Sequence, residues 1–346
     1  MTTIEQLNLF DFEAKALSKY ETPVIIDVKP RMRNMSNAIK QLDSGQDSVF
    51  TGSYSAPDPK DSFDWAIISD GHGKTFSYKD GKRVPYMIFN QAFEALDHLE
   101  IALSDDPVAY IQKMIPPTLY PPNIGATFLM FKVFQNRAEI FSIGDSSARV
   151  YINKTLVYKN ELHKITSDKE IVRLAKQNIS YEINKGDAPR ILDGNHLIME
   201  SSDTVTFYNG DTEYSLSLTQ SIGHHGMTGF EPERKTIEFG DEDEVQIIIG
   251  SDGLFDIVCD KIDGPFLADV ETADTLIEFA EKRWLQKWIL CITPVSRDSY
   301  MKYKSYREEM SGLKLVDMPD GYSYYEYEET GFPLLDDISC VVWSQR

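Results

Sequence analysis

Three short apolar runs in this chain each meet an aspartate at their edge. Residues 66–73 read Ala-Ile-Ile-Ser-Asp-Gly-His-Gly, residues 247–253 read Ile-Ile-Ile-Gly-Ser-Asp-Gly, and residues 336–343 read Asp-Asp-Ile-Ser-Cys-Val-Val-Trp. A short apolar run bounded by turn residues is the pattern of a buried strand. A carboxylate at the end of such a strand is held by a rigid scaffold and can still reach a cleft, which is what a hard-cation site requires. The repetition constrains the chain more than any single instance, because three such acids can converge in space on cations.

The rest of the chain mixes strands and helices. Residues 23–28, 48–53 and 65–69 read as strands. The stretch Ile88 to Ala102 reads as an amphipathic helix, with Ile88, Ala92, Phe93, Leu96 and Leu99 at helical spacing. Residues 126–134 and 138–143 suggest a hairpin, and a further strand follows Gly144-Asp145. Ser167 with Glu170 three residues later predicts a capping box opening a helix to Gln177. A long helix is expected over Thr272 to Cys291, and buried strands over 245–249 and 338–343. Regular strand–helix alternation is missing, so an α+β layered fold with mostly antiparallel sheets is expected rather than a doubly wound one. Residues 54–64, rich in Pro, Asp and Ser, and the tyrosine-rich stretch 293–335 read as insertions in a single domain spanning 1–346.

Composition excludes several classes. With 42% hydrophobic residues the chain suits a packed core. A formal net charge of -20 argues against nucleic acid and anionic membrane as partners, since both need clustered Lys and Arg. No apolar stretch reaches the length of a membrane span. Cys259, Cys291 and Cys340 show no metal-ligand spacing and read as free thiols of a reducing compartment. The N-terminal residues carry Glu5, Asp11 and Glu13 without the order of a signal peptide, so a cytoplasmic protein is expected. A monomer is the simplest expectation.

Seven short motifs complete the pattern: Gln46-Asp47, Asp70-Gly71-His72-Gly73, Gly125-Ala126-Thr127, Gly144-Asp145-Ser146, Leu218-Thr219-Gln220-Ser221-Ile222-Gly223, Ser251-Asp252-Gly253-Leu254-Phe255-Asp256 and Asp336-Asp337-Ile338-Ser339. Each is weak alone. In this order, from Gln46 to Trp343, they resemble the metal-dependent Ser/Thr protein phosphatases of type 2C. The resemblance implies a β-sandwich of two antiparallel sheets flanked by helices, with two Mn²⁺ or Mg²⁺ ions at one edge. It implies that Asp70 bridges the ions, that the Gly71 carbonyl ligates one, that Asp252 and Asp336 hold the first, and that Asp47 serves the second. It further implies hydrolysis of phosphoserine or phosphothreonine in phosphoproteins by a metal-activated water, without a phospho-enzyme, with His72 protonating the leaving oxygen. Oxygen ligands and retained waters are what such ions prefer.

Each residue also has a plainer reading. An Asp before Gly is commonly a turn residue, and His72 could cap local backbone. Asp145 and Asp256 read as structural. Four departures from the family pattern stand out. Gln46 replaces a Glu, and Leu42 replaces a phosphate-binding Arg for which Lys40, Arg31 or Arg33 could substitute. His224 follows Ser221-Ile222-Gly223 where the family has Asp, and the family's Asp-His pair corresponds to Glu161 to His163, which leaves Glu161 as a candidate for a third metal. These departures keep two rivals open: a pseudophosphatase serving as a protein-binding module, and a hydrolase of small phosphorylated molecules.

Overall fold

Ala66, Ile67 and Ile68 are completely buried, and successive side chains along a strand point to opposite faces. That segment must therefore be covered on both sides. In the computed structural model it is: Ile67 packs among helices, while Ala66 and Ile68 pack into a core between two sheets. The residues described are 32–41, 45–73, 75–79, 82–86, 88–120, 122–184, 190–192, 196–199, 203–209, 212–285, 288–292, 314–317, 323–326 and 336–346. The chain divides into two units, Met1–Met32 and Arg33–Arg346. All described residues except the exposed Met32 belong to the second unit.

Twelve strands of this unit form two antiparallel sheets: β1 Arg33–Lys40, β2 Asp47–Tyr54, β3 Phe63–His72, β4 Gly125–Ala126, β5 Phe128–Val133, β6 Arg137–Ile143, β7 Ser147–Ile152, β8 Thr155–Lys159, β9 Ile222–Gly223, β10 Glu233–Glu238, β11 Val245–Gly250 and β12 Ile338–Gln345. The five-stranded sheet runs β1-β12-β11-β7-β8, and the seven-stranded sheet runs β9-β4-β3-β5-β6-β10 with β2 on β3. Ile68, Leu129, Phe131, Ile140, Val150, Ile247, Ile249, Val341 and Trp343 fill the space between them. Helices α1 Ile88–Glu94, α2 His98–Leu103 and α3 Pro107–Met114 supply Phe93, Ile101, Val108 and Ile111 to the outer face of the larger sheet. Three later helices, α5 Asp252–Phe255, α6 Asp260–Asp269 and α7 Ala273–Trp284, cover the smaller sheet with Leu254, Leu267, Leu276, Ala280 and Trp284. Helix α4, Asp168–Lys176, belongs to a separate apolar cluster with Leu174, Val205, Phe207 and Leu218. Each such side chain contributes about 1.5–3 kcal/mol by leaving water. The layers are helix, sheet, sheet, helix, as the α+β sandwich expectation requires.

The strands at 48–53, 65–69, 245–249 and 338–343 are present with slightly longer bounds. Three expectations need correction. The helix expected over Ile88 to Ala102 is two helices, because Asp97 turns its carboxylate back to cap Leu99 N and Glu100 N and so starts a new one. The helix from Thr272 ends at Trp284, and Trp288–Ile292 is a strand. The capping box at Ser167 does not form: Ser167 makes no cap bond, its hydroxyl donates to Glu161, and the Glu170 carboxylate is taken by Arg173, Thr219 and Gln220. In the 54–64 segment a single 3-10 turn, Pro59–Asp61, lies between β2 and β3. The strand expected at 23–28 lies outside the described residues, as does most of 293–335. Its described parts, Lys314–Asp317 and Ser323–Glu326, form a sheet with Trp288–Ile292.

Candidate functional site

The larger sheet brings two acids face to face. β2 and β3 pair with Asp47 opposite Asp70, and directly opposed residues in an antiparallel pair share a face with Cβ atoms about 4.5–5.5 Å apart. The Gly125-Ala126-Thr127 motif fixes this edge. Thr127 Oγ1 accepts from Asp70 N at 3.0 Å, Thr127 N donates to Asp70 O at 2.8 Å, and Ser69 Oγ donates to Thr127 O at 3.1 Å.

The smaller sheet brings the other two. β11 and β12 pair Gly250 with Cys340, so the chain leaving β11 at Ser251-Asp252 lies beside the chain entering β12 through Asp336-Asp337. Ser251 ties them: its N donates to Ser339 O at 3.1 Å, and its Oγ accepts from Ser339 N at 3.0 Å. Gly253 permits the approach, since a Cβ there would sit 2.1 Å from Asp337 O and 3.3 Å from Asp336 Cβ. Trp284 of α7 locks the turn by donating Nε1–H to Gly253 O at 2.6 Å.

Gln46 joins the two edges. Its backbone N donates to Asp337 Oδ2 at 2.9 Å, its backbone O accepts from Gly71 N at 3.1 Å, and its Nε2 donates to Gly73 O at 3.2 Å. The neutral amide therefore has a structural reason to stand where the family has Glu: a carboxylate cannot donate to a carbonyl.

Charge is concentrated where these edges meet. Burial, then the neighbouring acids Asp252 and Asp337, pushes Asp47 up to about 8 against the pull of the Ser339 and Ser251 hydroxyls. Burial and the charge of Asp252 push Asp336 up to about 9. Asp70 lies well above the usual carboxylate range through burial and the charges of Asp47, Asp252 and Asp336, and Asp252 is also raised, first by burial and then by Asp145. Buried like charges destabilise one another unless protons or cations intervene. Asp47 Oδ2 and Asp252 Oδ1 are closed to solvent and have no hydrogen-bond partner among the described residues. This all-oxygen, under-compensated donor set fits hard divalent ions. Among the described residues no group of three or more His, Cys, Asp or Glu side chains is arranged to hold a metal ion by itself. Mg²⁺-like ions take one or two carboxylates and fill their remaining positions with water, so a closed cage is not required.

His72, at the end of β3, bonds the Asp70 carbonyl through its ring while its buried Nε2 has no hydrogen-bond partner among the described residues. Burial lowers it to about 4. Two further charged residues stand here: Asp256, which the sequence named as structural, and Lys164, which it did not single out. Asp256, at the end of α5, faces Asp252 and Asp145 and is raised to about 7, mainly by burial. Lys164 sits among them, 3.4 Å from Asp145 Oδ2. Burial alone would lower its ammonium, but Asp145, Asp256 and Asp252 outweigh burial and hold it above the usual range. Asp256 was visible in its motif, whereas a loop lysine has no sequence signature.

Other candidates are engaged elsewhere. Glu161 binds Ser167 and Lys169 and lines a different groove with Glu231 and Glu233, so the structure does not bring it to the acids. Lys40 is paired with Glu281 at 2.8 Å, and Arg33 bonds Gln345 and the Phe134 carbonyl. Arg31 and Leu42 lie outside the described residues.

No curated protein matches the sequence. Among solved structures, Stp1 from Staphylococcus aureus, a serine/threonine phosphatase, aligns with a TM-score of 0.45 and 13% identity over 91% of this chain and 95% of that one. The serine/threonine phosphatase PstP/Ppp from Mycobacterium tuberculosis gives 0.44 and 16% over 90% and 97%. The PstP catalytic domain in complex with 2 manganese ions gives 0.44 and 16% over 91% and 99%. The family model of protein phosphatase 2C matches residues 35–262, more than half of the 346-residue chain, and the chain belongs to that family.

Proposed function

We propose that the protein is a metal-dependent phosphatase of phosphoserine and phosphothreonine in proteins, working with two Mn²⁺ or Mg²⁺ ions. The observation that carries this reading is the junction of the two sheet edges. The opposed Asp47 and Asp70 are tied through Gln46 to the Asp336-Asp337 chain that packs on Gly253. In this reading Asp47, Asp70, Asp252, Asp336 and the Gly71 carbonyl would hold the two ions. When bound, such ions lower the pKa of water and neutralise phosphate charge.

The net reaction is hydrolysis. Water forms a new P–O bond, the P–O bond to the Ser or Thr side chain breaks, and the leaving oxygen takes a proton. His72 supplies that proton from Nε2, because its other ring nitrogen is committed to the Asp70 carbonyl. Burial holds the free ring neutral, and an entering phosphate dianion favours its charged form. Lys164 holds Asp145, Asp252 and Asp256 together by counter-charge. The free thiols of Cys259 and Cys340 suit a cytosolic setting, and no helix among the described residues is long and apolar enough to cross a membrane.

The test is turnover of p-nitrophenyl phosphate and a phosphothreonine peptide with Mn²⁺, Mg²⁺ or EDTA, using wild type and Asp252→Asn. Metal-dependent turnover that falls about a hundredfold or more in the variant is expected. A folded wild type with no turnover under any metal would favour the binding-module reading, to which Gln46 and Leu42 lend support.

A further inference from the structure

The family's acid after Ser-x-Gly is His224 here, and the structure gives this residue a specific position. β3 pairs His72 with Gly125, and β4 pairs Gly125 with Gly223, so one cross-strand row runs from His72 to the residue preceding His224. The middle of that row has no side chain. A Cβ on Gly125 would lie 2.4 Å from His224 Cδ2 and 2.6 Å from its Nε2, so the glycine leaves the space that the His224 ring fills.

Through that gap the His224 ring stacks on His72, with centroids 4.7 Å apart and planes 29° apart. Among the described residues the Tyr214 ring also lies near it, at 5.3 Å. His224 is fully buried, and its Nδ1 donates to Pro122 O at 3.0 Å. The backbone is held in the left-handed region at φ 46°, followed by His225 at φ 49°. This costly conformation is fixed by bonds from His224 N to Ile124 O (2.8 Å), from Met227 N to His224 O (2.9 Å), and between His225 Nε2 and Tyr120 O (2.6 Å). A side chain held this firmly against one face of another ring limits how that ring can turn.

We infer that His224 is a positioning residue for His72: its ring is a wall that, with the Asp70 carbonyl, leaves the His72 imidazole one orientation, with Nε2 available to the departing oxygen. The inference rests on the phosphatase reading and adds to it the device that aims the proton donor. Sub-ångström placement of a proton donor matters to rate, and matters most when the leaving group is a poor one.

The test compares wild type with His224→Gly, which removes the ring but accepts a positive φ without strain, and with His224→Asn, which tolerates the same φ and retains a flat polar group. Two substrates are used. The alkoxide leaving from phosphothreonine needs a proton, and p-nitrophenolate does not. The expected result is a kcat loss of about tenfold or more on the phosphothreonine peptide in His224→Gly, less than about threefold on p-nitrophenyl phosphate, and partial recovery in His224→Asn. Equal losses on both substrates, or none on either, would overturn the positioning role. Should His224→Gly fail to fold, His224→Asn carries the same comparison. Imidazole ¹⁵N spectra of the metal-free protein give a readout independent of turnover. A single His72 tautomer protonated at Nδ1 in wild type, giving way to a tautomer mixture in the variant, supports the wall; an unchanged His72 signal contradicts it. Wild-type protein inert on both substrates would instead sink the phosphatase reading, while the spectra would still decide the packing.

Discussion

Gln46 bonds Asp337, Gly71 and Gly73 at the acidic edge, and of these bonds the one from its side chain to the Gly73 carbonyl depends on its being an amide. Gln46→Glu would set a carboxylate oxygen against the Gly73 carbonyl and add charge beside Asp337. The expected result is a metal-free protein destabilised by about 1–3 kcal/mol in urea titration, together with tighter Mn²⁺ binding. His163 is a second single-residue test. Its buried Nδ1 accepts from Gly144 N at 2.9 Å, and burial lowers its pKa below the ordinary 6.5. The folded state thus binds this proton less readily than the unfolded chain does. The stabilising contribution is full above about 6.5 and is lost as pH falls through that value toward the lower folded one. Replacing it by Asn, whose Oδ1 can accept the same bond and does not titrate, should flatten the fall in Tm between pH 7.5 and 5.5; an unchanged slope would count against this role. At this scale the sequence displayed Asp70, Asp252 and Asp336, because each lies at the edge of an apolar run beside glycine or another acid, whereas Asp47, between Gln46 and Ser48, was legible only through the family resemblance. The sequence could not display Lys164 or the stacking of His224, whose meaning depends on which strands become neighbours.

Elements were legible where burial on both faces left no alternative, as in β3, β11 and β12. They were less legible where a local signal competed with a tertiary one. The Ser167-x-x-Glu170 pattern is a sound capping signal, yet Glu170 is recruited inward. Thr219 Oγ1 donates to it at 2.5 Å and Gln220 Nε2 at 2.6 Å, while Arg173 pairs with it at 3.0 Å and donates to Thr219 O at 2.7 Å. α4 is therefore the clamp for the 218–223 segment that leads to His224. Glu170→Ala leaves the buried Arg173 without its counter-charge, though still bonded to Gln177, Thr228 and Thr219, and should cost about 3–5 kcal/mol in denaturant unfolding. Loss below about 1 kcal/mol would mean that the clamp is not a buried ion pair in solution. The end of α7 at Trp284 is a different case: the next described residues, Trp288–Ile292, pair as a strand with Ser323–Glu326, a long-range pairing that helical periodicity alone could not reveal.

For the whole molecule, two sheets stacked through one apolar core bring together strand ends far apart in sequence. Asp47 and Asp70 come from one sheet, and Asp252 and Asp336 from the other. The sandwich was readable through the ordered motifs and the apolar runs, whereas the Gln46–Asp337 junction was not, since it is a contact between distant loops. This junction is proposed to hold two divalent ions, and the measurement that decides it is the stoichiometry of Mn²⁺ binding, by calorimetry and electron paramagnetic resonance, for wild type and Asp70→Asn. Two ions per wild-type chain with spin coupling between them, and loss of that coupling together with at least one ion in Asp70→Asn, is the predicted result. A folded wild type that binds no Mn²⁺ saturably, or a variant that still binds a coupled pair, would contradict it.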